Sequence, residues 1–196
     1  CNRKKDRENL QDGAGRCAMK IASQDGGKTR RSHTSEAVIL FCIGNQTFAI
    51  SADAVQEIRS TDSLAAAAVE IEQAEVPKVR HLVERGHRTY YVVSGCGHFG
   101  LRVTRPTLVL ILRQIRAAVL VDSIERMAEI PRVYALPEGF HGEERQWYRG
   151  LVYLEDRVIP VINPAGFLTP QEFSRLDIAS KAALARTEME GAAQQA

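Results

Sequence analysis

His81, His87, Cys96 and His98 form the densest grouping of side chains able to hold a metal or move a proton in this 196-residue chain. A zinc site needs three or four such ligands converging on one point. Here the spacing works against convergence. Cys96-Gly-His98 reads as a turn, while His81 and His87 bracket the end of a short helical stretch and the start of a strand. Exposed loop histidines are the preferred reading, and a small metal-dependent enzyme is kept as the alternative. Gly95-Cys-Gly-His-Phe-Gly100 has glycines at suggestive spacing, but no long helix follows to receive a phosphate. There is no Gly-x-Ser-x-Gly elbow and no phosphate loop. Asp122 and Asp156 are lone carboxylates at strand ends, where they usually cap turns. The expectation is a protein without catalysis and without a cofactor.

Whole-chain properties narrow the class further. Apolar residues make up 44% of the chain, enough for a sizeable core. The net charge of +2 is uneven, with +5 on residues 1–35 and −3 on residues 36–196. A slightly acidic globular part argues against nucleic acid as the main partner. Cysteines at 1, 17, 42 and 96 include no Cys-x-x-Cys pair, which points to a reducing compartment, the cytoplasm. No run approaches the roughly 18–20 apolar residues of a membrane span. A leading Cys1 is read as the end of an incomplete or processed chain rather than as an acylated lipoprotein cysteine.

The elements that must position any site are mostly strands. Residues 38–43 and 47–50 are β-rich runs around Gly44-Asn45-Gln46, a hairpin pattern. Residues 52–58 follow with helical spacing at Ala54, Val55 and Ile58, although the same residues could open a third strand. Residues 61–76 read as a helix or an ordered loop. Lys78–Glu84 carries an apolar stripe at Val79, Leu82 and Val83, and Thr89–Val93 is a strand. Thr107–Leu112 lacks polar alternation, so it should be buried on both faces with its partner 117–121. An amphipathic segment, 123–130, and a long loop, 131–148, come next. A hairpin joins 150–154 to 158–162. Thr169-Pro170-Gln-Glu172 has the cap, first-position proline and third-position glutamate of a helix start. The segment 181–196 is expected to fray, and residues 1–35 to form a disordered basic tail.

The hairpin pattern occurs twice, at 38–60 and 107–130, each time followed by a β-rich run, at 88–101 and 157–168. This reads as an internal duplication of two small β-subdomains. The residues also resemble a known family. Val38-Ile-Leu-Phe-x-Ile-Gly-x-x-x-Phe-Ala-Ile followed by Ala54-Val-Gln-Glu-Ile-Arg59 resembles the opening of CheW-like chemotaxis coupling proteins. Arg85-Gly86 resembles their Asn-Leu-Arg-Gly segment, and Ala118-Val-Leu-Val-Asp-Ser-Ile124 a later strand. Tyr148–Asn163 and Phe167-Leu-Thr-Pro-Gln-Glu-Phe resemble the second hairpin and the C-terminal stretch.

That resemblance, over about residues 36–180, implies a mostly β fold. It would be two SH3-like five-stranded β-barrels sharing a core, with a C-terminal helix. It implies a non-catalytic adaptor joining the regulatory domain of a CheA-type histidine kinase to the cytoplasmic tips of chemoreceptors. Val55, Glu57, Arg85 and Gly86 match positions around the family's receptor-facing groove, where Val55 would anchor a receptor helix and Arg85 would present its fork. The departures cluster on that side. Val83-Glu84 stands in place of Asn-Leu, and Tyr90–Gly95 lacks the family's Pro and Asp. They define the alternative, a divergent scaffold for pilus motility or development with reduced receptor binding.

Overall fold

The computed structural model describes residues 35–71 and 75–193. The expected tail at 1–35 lies outside them except for Ser35, as do Cys1 and Cys17. The described chain is mostly β. In order it runs β1 (Glu36–Ile43), β2 (Gln46–Ser51), β3 (Val55–Ser60), α1 (Thr61–Ala65), β4 (Ala68–Glu70), β5 (Val79–Arg85), β6 (Arg88–Ser94) and α2 (Gly95–Phe99). Then come β7 (Leu108–Leu112), β8 (Ala117–Val121), β9 (Ser123–Ile130), α3 (Glu144–Trp147), β10 (Tyr148–Leu154), β11 (Arg157–Ile162) and α4 (Pro170–Ala193). Two sheets form, β10-β11-β2-β1-β9 and β3-β7-β8-β6-β5-β4.

The duplication is present, with an exchange. Strands β1 and β2 of the first repeat pair with β9 and β11 of the second, while β7 and β8 pair with β3 and β6 of the first. Each hairpin therefore completes the other repeat's barrel. The parallel contact of β11 with β2 has its counterpart in the parallel contact of β6 with β8. The match extends to register. Counted back from each turn, Glu84↔Thr89, Val83↔Tyr90 and Leu82↔Tyr91 correspond to Tyr153↔Val158, Val152↔Ile159 and Leu151↔Pro160. Each hairpin then breaks register at the same distance from its turn, after His81 and after Gly150.

Three apolar clusters follow from this arrangement. One fills the first barrel around Val83, Tyr90, Val109 and Ile111. A second fills the other barrel around Val38, Leu40, Val152 and Ile159. The third, around Phe41, Phe48, Tyr91, Leu110 and Phe167, draws on both sheets and is the shared core. Strand β7 sends Val109 and Ile111 into one cluster and Leu110 and Leu112 into another, hence its lack of polar residues.

Turn chemistry explains the hairpins. Gly44 and Asn45 both have positive φ, as do Glu155 and Asp156, which suits two-residue turns whose twist matches the strands. The first turn is thus one residue shorter than Gly44-Asn45-Gln46, because Gln46 already pairs with Ile43. Asp122 serves as a cap, accepting from the Gly44 amide at 2.8 Å. Thr169 and Glu172 form the expected reciprocal box, with the Thr169 amide donating to Glu172 Oε2 at 2.8 Å and the Glu172 amide to Thr169 Oγ1 at 3.2 Å.

Several expectations are corrected. Residues 52–58 are one turn of 3-10 helix, Ala52–Ala54, and then strand β3. Lys78–Glu84 is not helical: from Val79 onward it is β5. A bulge after Val79 inserts one residue, so Val79 and Leu82 reach the same cluster at a spacing of three. The 123–130 segment is strand β9, paired along β1. Cys96-Gly-His98 belongs to the short helix α2, capped by Ser94 Oγ, rather than to a turn. Residues 61–71 divide between α1 and β4, the three-residue strand that gives the second sheet its sixth member. As expected, a helix starts after Thr169; it spans Pro170–Ala193, with Ala183 buried. Among the described residues, no helix is long and apolar enough to cross a membrane.

Candidate partner-binding site

Strands β3 and β5 lie near opposite ends of their sheet, and side chains bring them together. Glu57 on β3 accepts from Arg59 Nε, and its other oxygen lies 2.9 Å from Arg85 Nη1 on β5. Tyr90 on β6 donates to Gln56 Oε1 at 3.2 Å beside them. Glu57 and Arg59 sit opposite Ile111 and Val109, whose side chains fill this barrel, so the ion cluster lies at the mouth of that core. The hydrogen bond from Arg59, and after it the charges of Arg59 and Arg85, hold the Glu57 carboxyl below its ordinary pKa against partial desolvation. The contact to Arg85 is ionic only. Its Nη1 is enclosed and makes no hydrogen bond among the described residues.

The second repeat contains the counterpart with the charges reversed. Glu57 follows a bulge on β3, and Arg126 follows the matching bulge on β9. Arg126 Nη2 donates to Glu155 Oε1 at 2.6 Å, reaching the β10–β11 turn as Glu57 reaches the end of β5. Ion pairs cross this gap in both barrels, Glu57 with Arg85 in the first and Arg126 with Glu155 and Glu125 with Arg157 in the second, so Arg85 has a structural task whatever else it does.

The four sequence-predicted residues are thus partly gathered. Glu57 and Arg85 touch, and Gly86, at φ +60°, opens the adjoining β5–β6 turn. Val55 is elsewhere. It is 7% exposed and packs in the shared core. The apolar side chain that β3 shows to solvent is Ile58, 40% exposed, and sequence reasoning missed it together with Arg59. The bulge at Gln56 hid the true alternation along this strand.

The histidine–cysteine group does not converge. Among the described residues no cluster of three or more His, Cys, Asp or Glu could hold a metal ion. His81 is exposed on β5 and His87 in the following turn. Cys96 is buried, 3.4 Å from Thr104 Oγ1. His98 departs from the exposed-histidine expectation, being only 5% exposed. Its ring lies 4.6 Å from Phe99, 4.6 Å from Trp147 and 5.0 Å from Phe167, centroid to centroid. Burial first, and the nearby Lys78 charge second, push its pKa down to about 4. Lys78 Nζ is 3.5 Å from His98 Nδ1 and 2.9 Å from Glu172 Oε1, which ties α2 to the start of α4.

The chain matches the CheW-like domain over residues 37–172. It belongs to the CheW-like family. In the same fold is the scaffolding protein TtCheW from Thermoanaerobacter tengcongensis, whose crystal structure superposes with a TM-score of 0.58. That likeness has 12% identity over 69% of this chain and 94% of TtCheW. No curated protein matches the chain. This CheW-like chain is a non-catalytic scaffolding domain of chemotaxis signalling, built from two SH3-like subdomains. Most of α4, from Phe173 onward, lies beyond the matched CheW-like segment.

Proposed function

We propose that this CheW-like domain is a cytoplasmic adaptor coupling the regulatory domain of a CheA-type histidine kinase to the helical tips of chemoreceptors. The observation that carries the receptor half is exposed Ile58 on β3, with Glu57, Arg59 and Arg85 gathered on the other face of the same strand. A helix docks by apolar anchors with a polar rim around them. Ile58 supplies the anchor here, in place of Val55, and the ion cluster on the other face of β3 holds that strand in position. Family membership supports the kinase half.

The enclosure of Arg85 favours a second reading on one point. An arginine already held by Glu57 offers an incoming helix less than a free fork would. That supports the divergent scaffold with reduced receptor binding. Titration of Arg85→Ala against a receptor tip fragment and, separately, against the kinase regulatory domain decides between them. The coupler reading expects receptor binding to weaken by about 1–3 kcal/mol, the range for a lost charge-assisted contact, with kinase binding unchanged. The closing ion pair is part-exposed, so its loss should cost the fold at most about 1 kcal/mol. Unchanged receptor binding favours the divergent scaffold. Equal weakening of both partners leaves Arg85 with its barrel-closing task alone.

A further inference from the structure

We propose that the outer face of the β10–β11 hairpin is a second docking surface, one that takes an amphipathic helix bearing a carboxylate. The internal repeat provides the comparison. Leu82↔Tyr91 on one hairpin corresponds to Leu151↔Pro160 on the other, and Glu84↔Thr89 to Tyr153↔Val158. Even the third strand is echoed. Val69 pairs with Leu82 in the first repeat, and Tyr134 bridges Leu151 in the second.

On the first repeat this face is covered by a helix. Phe173 of α4 packs its ring 6.1 Å from that of Tyr91, and Leu176 is buried in the same cluster as Leu82 and Tyr91. Asp177 accepts from the Tyr91 hydroxyl and takes both guanidinium nitrogens of Arg116 at 2.8 Å. An apolar strip plus one carboxylate meeting one cation is the full recognition set.

On the second repeat the counterparts of Leu82 and Tyr91, Leu151 and Pro160, are part-exposed, and the apolar surface continues at the positions where the first repeat has exposed Glu84 and part-exposed Thr89. Tyr153 is 61% exposed and Val158 53% exposed, side by side across the hairpin. Tyr134 lies edge-on to Tyr153 at 5.3 Å and is itself 40% exposed. A contiguous aromatic and aliphatic surface of this kind marks an interaction site more often than scattered apolar residues do. A cation stands at its edge. The Arg132 guanidinium lies 4.5 Å over the Tyr134 ring. Nearby Arg126 and Arg157 are paired with Glu155 and Glu125, whereas Arg132 forms no ion pair among the described residues. The face thus supplies the strip and the cation, and lacks the helix and the carboxylate that α4 brings to its counterpart. The expected occupant is a partner's amphipathic helix with an acidic residue beside its apolar stripe.

The probe is a synthetic peptide of residues 170–186 of this chain, which carries Phe173, Leu176 and Asp177. It is titrated into the isotope-labelled full chain and followed by amide chemical shifts. The expected result is saturable shifts at Tyr134, Leu151, Tyr153 and Val158. Binding should be lost in Tyr153→Asp and weakened at least threefold by Arg132→Ala or by Asp177→Asn in the peptide. Circular dichroism confirms that each variant is folded, and Val158→Asp replaces Tyr153→Asp if that protein misfolds. Three outcomes overturn the proposal: no shifts, shifts confined to Tyr91, Arg116 and α4, or self-association of the chain alone that Tyr153→Asp abolishes.

Discussion

Acid should destabilise this fold through one histidine before its carboxylates protonate. His98 is enclosed by Phe99, Trp147 and Phe167, and Lys78 donates to its Nδ1. Its pKa falls from 6.5 in the unfolded chain to about 4 in the fold. The folded state therefore binds fewer protons than the unfolded state between those values. Stability contributed by His98 is fully present above about pH 6.5 and is lost as pH falls through 6.5 toward 4. At pH 5 the protonation ratio costs about 2 kcal/mol, and by pH 4 about 3 kcal/mol, at 1.36 kcal/mol per pH unit of differential binding. Glu172 beside it works in the same direction but lower. Burial alone would raise its pKa, but the Lys78 contact and the Thr169 amide outweigh burial and hold it below the ordinary glutamate value. Urea unfolding at pH 7.5 and pH 5.0, for the natural chain and for His98→Phe, isolates the histidine. The variant keeps a ring in the aromatic box and cannot titrate. Its loss between the two pH values should be smaller by about 2 kcal/mol. Identical losses in the two proteins would show that His98 titrates alike in the folded and unfolded chain between these pH values.

Two further outcomes follow from how α4 is attached. Asp177→Ala removes the bidentate contact to Arg116 and the acceptor for Tyr91, and should cost about 1–2 kcal/mol, limited by the part exposure of the pair; urea unfolding reads it. Thr169→Ala removes the helix cap and should cost about 1 kcal/mol, with faster hydrogen exchange at the Glu172 amide.

Local signals made much of the fold legible. Gly44-Asn45 marked a turn, and Thr169-Pro170-Gln-Glu172 marked a helix start, because each depends on adjacent residues alone. The unbroken apolar run at 107–112 marked a strand buried on both faces. Bulges defeated the same reasoning in β3 and β5. One inserted residue turns a period of two into a spacing of three, which imitates a helix at Val79 and Leu82 and misplaces Val55. The exchange of strands between repeats was not legible, since strand order is set by packing between distant segments rather than by pattern. His98 was missed for a similar reason. Trp147 and Phe167, which enclose it, arrive from α3 and the turn after β11. At the candidate site, Arg85 and Gly86 were found through the family resemblance, whereas Ile58 and Arg59 emerged only once β3 was placed against β7.

The proposed adaptor role requires this domain to join two partners at once. The most direct measurement is size-exclusion chromatography of a kinase regulatory domain and a receptor tip fragment, with and without the full chain. All three should co-elute when the chain is present, and the two partners should separate when it is absent. Failure of the chain to co-elute with either partner, while remaining folded, would contradict that role.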